Sequence, residues 1–120
     1  MADRKIVRLN DSRIFAEPCE VADNAFTRLK GLMGRKGLAG GAGLLIEPCN
    51  SIHTFFMRFP IDVAYLGRAS SPPDAYVVLA VRRELRPWRM DFPVFGARAV
   101  LELPAGGAAT LVEGDLLCLS

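Results

Sequence analysis

No stretch of this sequence is long and apolar enough to span a bilayer as a helix, and its start, Met1-Ala2-Asp3-Arg4-Lys5-Ile6-Val7-Arg8, lacks the apolar run of a secretory signal. Both absences predict a cytoplasmic chain with no membrane partner. Charge of one sign is also missing: 15 basic residues face 13 acidic ones, so no broad electrostatic footprint for nucleic acid is expected. Cysteine is scarce. Cys19, Cys49 and Cys118 are an odd number, widely spaced and without a C-x-x-C pair, which fits neither a disulfide framework nor a zinc knuckle. There is one histidine, so imidazole chemistry of any kind must use His53.

What is present is ordinary globular material. With 51% apolar and 23% charged residues, the 120-residue chain is too balanced for disorder and long enough for one core, and a single domain over 1–120, expected to be monomeric, follows. Apolar and polar residues interleave in Lys5–Leu9 and Arg13–Ala16 around Asn10-Asp11-Ser12, predicting a hairpin. From Ala22 the apolar residues fall at 22, 25, 26, 29, 32 and 33, a helical spacing that predicts one clear helix over about 23–33, capped by Asp23 or Asn24 and stopped by Gly34.

Beyond the glycine-rich loop Gly37–Gly43, Leu44-Leu45-Ile46 reads as a buried strand. Ser51–Phe59 and Ile61–Leu66 read as strand segments separated by Pro60, followed by a surface turn over Arg68–Asp74. Tyr76–Arg83, Ala99–Leu103 and Asp115–Leu119 complete the strands, with at most a short helix at Ala108–Val112. The fold class is therefore mainly β (a β-rich α+β domain): an antiparallel or mixed barrel or sandwich with one helix and short helical insertions, because βαβ alternation is missing.

Several motifs together resemble the DUF192 or UPF0127 family. They are Arg28-Leu29-Lys30-Gly31-Leu32-Met33, Gly43-Leu44-Leu45-Ile46, Ile52-His53-Thr54-Phe55-Phe56-Met57-Arg58, Ile61-Asp62-Val63, and Leu101-Glu102-Leu103-Pro104-Ala105-Gly106 before Gly114-Asp115. The resemblance implies a β-rich, barrel-like domain with a helix packed across it, and it implies no reaction. Gly34 departs from the large residue that many relatives carry after the Gly-Leu-Met triplet, and Ser70–Asp74 looks like an insertion.

Chemistry-bearing residues gather between Cys49 and Asp62. Cys49 and His53 form C-x₃-H, which on a helix would place them one turn apart. Along a strand, four residues advance roughly 13 Å, too far to share an ion, and only a turn at Cys49-Asn50 would reunite them. A zinc site would need His53 to recruit Cys49, Asp62 or Glu102 from different segments, so no metal site is assigned, and no motif identifies a cofactor.

If Ser51–Arg58 is a strand, His53, Phe55 and Met57 share one face, an imidazole with apolar walls, as small-molecule pockets commonly have. The leading expectation is a small-molecule ligand bound by His53, Phe55, Met57, Arg58, Asp62 and Glu102. One alternative is an enzyme in which His53, Asp62 and Glu102 share acid–base or metal work. A second is an interaction or assembly module using a sheet edge. Competing with all of these, a lone histidine beside phenylalanines is commonly a hydrogen-bonded packing residue, and alternation alone places Asp62 and Glu102 opposite their apolar neighbours, toward solvent or an arginine.

Arg82, Arg83, Arg86 and Arg89 surround Trp88, a pattern able to clamp an anion or stack on a base, although Glu84 and Asp91 dilute it and no nucleic-acid module accompanies it. The glycine loop lacks G-x-x-x-x-G-K-[ST] and carries no phosphate-binding signature.

Overall fold

Alternating and fully apolar runs both become strands of a single sheet in the computed structural model, which describes residues 4–24 and 31–120. The strands are β1 (Ile6–Arg8), β2 (Ile14–Ala16), β3 (Cys19–Ala22), β4 (Gly43–Ile46), β5 (Ile61–Arg68), β6 (Tyr76–Leu85), β7 (Ala99–Pro104) and β8 (Leu116–Leu119). Their order across the sheet is β2-β1-β8-β6-β5-β7-β4-β3. Every pairing is antiparallel except β3 with β4, where Cys19 faces Gly43 and Ala22 faces Ile46. Such a parallel pair needs a long crossover, supplied by residues 23–42.

No helix occurs among the described residues. The helix expected over about 23–33 falls largely on residues 25–30, which lie outside them, while residues 31–34 form a turn. The helical insertion expected at Ala108–Val112 is instead a run of tight turns, with Ala109 N–H donating to Gly106 O and Leu111 N–H to Ala108 O. Ser51–Phe59 is likewise not a strand: it holds one isolated bridge, His53 with Met90, and a turn in which Met57 N–H donates to Thr54 O.

The barrel or sandwich gives way to one open sheet. Its two edge strands, β2 and β3, are consecutive in sequence and joined only by Glu17 and Pro18, so the sheet curls until its ends approach. No ladder closes the gap, because Pro18 has no N–H and the neighbouring donors are spent elsewhere, Glu17 N–H on Gly41 O and Cys19 N–H on Arg4 O. The curl also presses β2 onto β4. A Cβ on Gly43 would stand 2.7 Å from the Ala16 Cβ, so only glycine permits this approach.

Curling gives the sheet two buried faces. One packs Ile6, Leu45, Ala64, Leu66, Leu101, Leu103 and Leu117. The other packs Leu32, Leu44, Ile46, Ile52, Met57, Ile61, Val63, Tyr65 and Val100. β4, β5 and β7 therefore contribute to both, which explains why Leu44-Leu45-Ile46 is a continuous apolar run rather than an alternating one.

Candidate functional site

Two carboxylates enter the sheet's centre, and the strand period of two sends them to opposite faces. Asp62, on β5, sits on the face of Ala64 and Leu66 and is fully buried. Its Oδ1 accepts from Glu84 N–H at 2.9 Å, and its Oδ2 accepts from Gly106 N–H at 3.1 Å and Ala108 N–H at 2.9 Å. Glu84 lies in the left-handed region (φ 53°) beside an irregularity in the β5–β6 register, and Gly106 and Ala108 belong to the turns after β7. Asp62 thus ties the end of β6 to those turns.

Glu102, on β7, faces the other way. It stands opposite Leu44 of β4 and Val63 of β5, within the second core, and is also buried. Its Oε1 has no hydrogen-bond partner. Burial pushes this carboxyl up to about 7, against a lesser opposing pull from the positive charge of Arg35.

Over Glu102 lies the segment that sequence reading made a strand. It runs irregularly alongside residues 86–94: Val94 N–H donates to Asn50 O, Asp91 N–H to Ile52 O, and Trp88 N–H to Thr54 O. Buried Thr54 is the knot, donating its hydroxyl to Arg86 O at 2.6 Å and accepting from Arg89 N–H at 2.8 Å. A tether from the sheet holds this ribbon: Tyr65, fully buried on β5, donates its hydroxyl to Asp91 Oδ2 at 2.7 Å, and Arg82 pairs with the same oxygen at 3.2 Å. Burial first, and then the bond to Asp91, push the Tyr65 hydroxyl well above the usual phenol range, so it remains a donor. Tyr65→Phe is expected to lower stability by about 1–2 kcal/mol, because Asp91 keeps Arg82 and the Phe92 N–H while losing one charge-assisted bond. Urea denaturation of the two proteins measures the difference.

Between the ribbon and the sheet a cleft of about 70 Å³ is lined by Gly31, Leu32, Met33, Ile46, Cys49, Ser51, Ile52, His53, Met57 and Glu102. His53 brings a second orphaned atom: its Nδ1 is buried and has no hydrogen-bond partner, while the ring stacks on Phe55 at 5.1 Å. Cys49 donates its thiol to Ser51 O at 3.0 Å, and a bend after Pro48 brings Cys49 and His53 to the same cleft. The apolar lining and the side chains of His53 and Glu102 border one small space.

Of the six residues expected to bind a ligand, His53, Met57 and Glu102 line this cleft. Phe55 backs His53 from outside, Arg58 is exposed away from the lining, and Asp62 is on the far side of the sheet. The lining from Gly31-Leu32-Met33 escaped sequence reasoning as site chemistry. Its signal was the same triplet that carries the family resemblance. Among the described residues no group of three or more His, Cys, Asp and Glu side chains is placed to hold a metal ion.

The sequence model of the DUF192 family, described as an uncharacterised ACR, matches residues 6–117. A UPF0127 protein of Thermococcus sibiricus is 29% identical over 106 residues, which cover 84% of this chain and 64% of that protein, so the chain spans somewhat less than two thirds of that relative. A UPF0127 protein of Pyrococcus abyssi is 36% identical over 92 residues, covering 72% of this chain and 71% of its own. Two crystal structures share the fold at 22% identity. A protein of unknown function from Novosphingobium aromaticivorans has a TM-score of 0.74, with 95% of this chain and 81% of that one covered. A candidate transcription regulator from Sinorhizobium meliloti has a TM-score of 0.77, with 98% and 95% covered.

Proposed function

The chain belongs to the DUF192 family, and we propose that it holds a small molecule bearing N–H or O–H donors, or the donor-bearing end of a larger one, in the cleft between β4, β7 and residues 49–57. The observation that carries this reading is the pair of buried orphans, Glu102 Oε1 and His53 Nδ1, at one cleft. An unsatisfied buried polar group costs roughly 1–3 kcal/mol, and a fold that leaves two of them in the same place retains a site that a complementary ligand can satisfy. Glu102 supplies an acceptor, His53 an acceptor or donor according to tautomer, and Leu32, Ile46, Ile52 and Met57 supply apolar walls.

A single buried water needs about 10–15 Å³ of such space. The cleft therefore admits a group of a few heavy atoms, which favours a small cation, amide or alcohol over a bulky ring. We take the host as a monomeric cytoplasmic domain.

Titration of the ¹⁵N-labelled protein with methylammonium, formamidinium, acetamide and ethanol tests the reading. At a ceiling of about 1.5 kcal/mol per heavy atom, probes this small bind no tighter than tens of micromolar for acetamide and a few millimolar for methylammonium, so the titration runs to high millimolar probe. At least one is expected to shift amide signals of Gly31–Met33, Cys49–His53 and Glu102, and the shifts are expected to vanish in Glu102→Gln. Shifts from none of the four, or shifts indifferent to that substitution, would leave the cleft a water-filled gap in the packing.

An acid–base enzyme is the second reading, supported by a Glu102 carboxyl that titrates near neutrality. It rests on Glu102 and His53 alone, because the Asp62 carboxylate is committed to three backbone donors on the opposite face.

A further inference from the structure

The ribbon over the cleft carries what a water-soluble surface ordinarily avoids. Phe95 is 102% exposed, Phe92 84%, Met90 72%, Phe56 63% and Trp88 56%. Phe56 and Trp88 pack with their rings tilted at 58° and centroids 4.9 Å apart, and both hold their backbones in the left-handed region, at φ 65° and 64°. L-residues with large side chains rarely adopt that conformation, and it persists only where the surroundings enforce it. Here the enforcement is visible: Trp88 N–H is held by Thr54 O, and Thr54 in turn is bonded to Arg86 and Arg89. The ribbon's hydrogen bonds thus hold two aromatic rings out from the fold.

The charge beside these rings has one dominant sign. A broad groove of about 500 Å³ at the end of β6 is lined by Arg82, Arg83, Arg86 and Arg89, with Glu84 as the one acid in the lining. Arg83 is spent on Ala108 O and Leu111 O, and Arg82 pairs with Asp91. Arg86 and Arg89, which flank Trp88 in sequence, have exposed side chains, as does Arg58 two residues after Phe56. A second copy of the chain would bring the same arginines face to face, so self-association is disfavoured by charge.

We propose that residues 56–58 and 86–95 form a peripheral docking surface for an anionic lipid bilayer, with Phe56, Trp88, Met90, Phe92 and Phe95 entering the interface and Arg86, Arg89 and Arg58 meeting lipid phosphates. Aromatic rings partition to the headgroup boundary, and arginines beside them add attraction to anionic lipids. Aromatic side chains that protrude singly, as Phe92 and Phe95 do, suit a deformable bilayer better than a folded partner, and the shallow arginine-lined groove beside them is wide enough for lipid phosphates. The lack of a spanning segment, and of any helix among the described residues long and apolar enough to cross a membrane, bears on crossing and not on resting at the surface. The inference is independent of what the cleft binds.

The molecule contains its own probe, because Trp88 is its only tryptophan. The full chain is titrated with vesicles of phosphatidylcholine alone and with vesicles containing about 30 mol% phosphatidylglycerol, in about 0.1 M salt. Expected with the anionic vesicles are a blue shift of Trp88 emission, cosedimentation, and partitioning about tenfold or more above that onto phosphatidylcholine, weakening as salt rises. Phe92→Ser with Phe95→Ser, and separately Arg86→Gln with Arg89→Gln, change exposed side chains outside both cores and leave thermal unfolding unaltered. Each pair is expected to cut partitioning about tenfold. No binding to anionic vesicles, equal binding to neutral ones, or binding indifferent to both variants would overturn the proposal and leave the surface to a protein partner.

Discussion

Replacing Asp62 by alanine is expected to remove about 3–4 kcal/mol of stability, the largest effect of any single side chain considered. The carboxylate accepts three backbone N–H bonds, from Glu84, Gly106 and Ala108, and the Ala108 bond is wholly buried. Its loss leaves an unsatisfied buried donor, at about 1–3 kcal/mol, while the other two donors are nearer solvent and recover part of their bonding from water. Removing a buried charge offsets some of this loss, which keeps the total below the sum of three charge-assisted bonds. At roughly 4 °C per kcal/mol for a domain of this size, the melting temperature is expected to fall by roughly 15 °C.

Asp62→Asn separates the carboxylate's shape from its acceptor capacity. An amide oxygen in the place of Oδ2 still serves Gly106 and Ala108, but the amide nitrogen then faces the Glu84 N–H, donor against donor. A loss of about 1–2 kcal/mol is expected, below that of alanine. Urea denaturation with an unchanged slope would locate both effects in the native state. Amide exchange at Gly106 and Ala108 should accelerate more than exchange in β4, because the tie holds the turns after β7. A loss under about 1 kcal/mol in the alanine variant would remove Asp62 from this role.

Asp62 and Glu102 also show where sequence reading stops. Alternation correctly separates each carboxylate from its apolar neighbours: Glu102 does stand opposite Leu101 and Leu103, and Asp62 opposite Ile61 and Val63. Alternation leaves open whether that opposite face meets water, an arginine or a pocket. In β5 and β7 both faces are covered, so period two carries face but not solvent, and only the three-dimensional cover decides the environment. The hairpin of β1 and β2 was legible because its pairing is local, and β4 to β8 because their runs are long or strongly apolar. β3 was not, since Cys-Glu-Val-Ala is short and earns its strand by parallel pairing with β4 more than twenty residues on.

The segment around His53 fails for another reason. Ile52, Phe55, Phe56 and Met57 have the composition of a strand, yet their partner, residues 86–94, is itself irregular, and Phe56 at φ 65° breaks any ladder. Composition cannot distinguish an aromatic residue bound for the core from one held outside it. Met57 is buried at the cleft while Phe56, one residue earlier, is exposed. The expected pocket wall of His53, Phe55 and Met57 therefore survives as His53 and Met57, and the decisive neighbour, Glu102, comes from a strand some fifty residues away.

That neighbour makes the protein's stability depend on pH in a direction opposite to most carboxylates. Glu102 titrates near 4.5 when unfolded, and burial lifts it to about 7 in the folded chain. Between these values the native state holds a proton that the unfolded state has lost, so stability falls as pH rises through that window, is fully present below about 4.5 and reaches its lower level above about 7. A shift of this size corresponds to about 3 kcal/mol. Glu102→Gln keeps the shape and removes the titration, so it is expected to match the parent near pH 4.5 and to exceed it by about 3 kcal/mol above pH 8. Comparing the two proteins by urea denaturation across pH cancels every other titrating group. A difference that does not grow with pH would mean that the ionised carboxylate finds a partner inside the folded chain. If it does grow, the wild-type residue weakens the fold at neutral and alkaline pH, and a ligand with N–H donors that pairs with ionised Glu102 would reverse the loss. The stability such a ligand restores should then be larger at pH 8 than at pH 5.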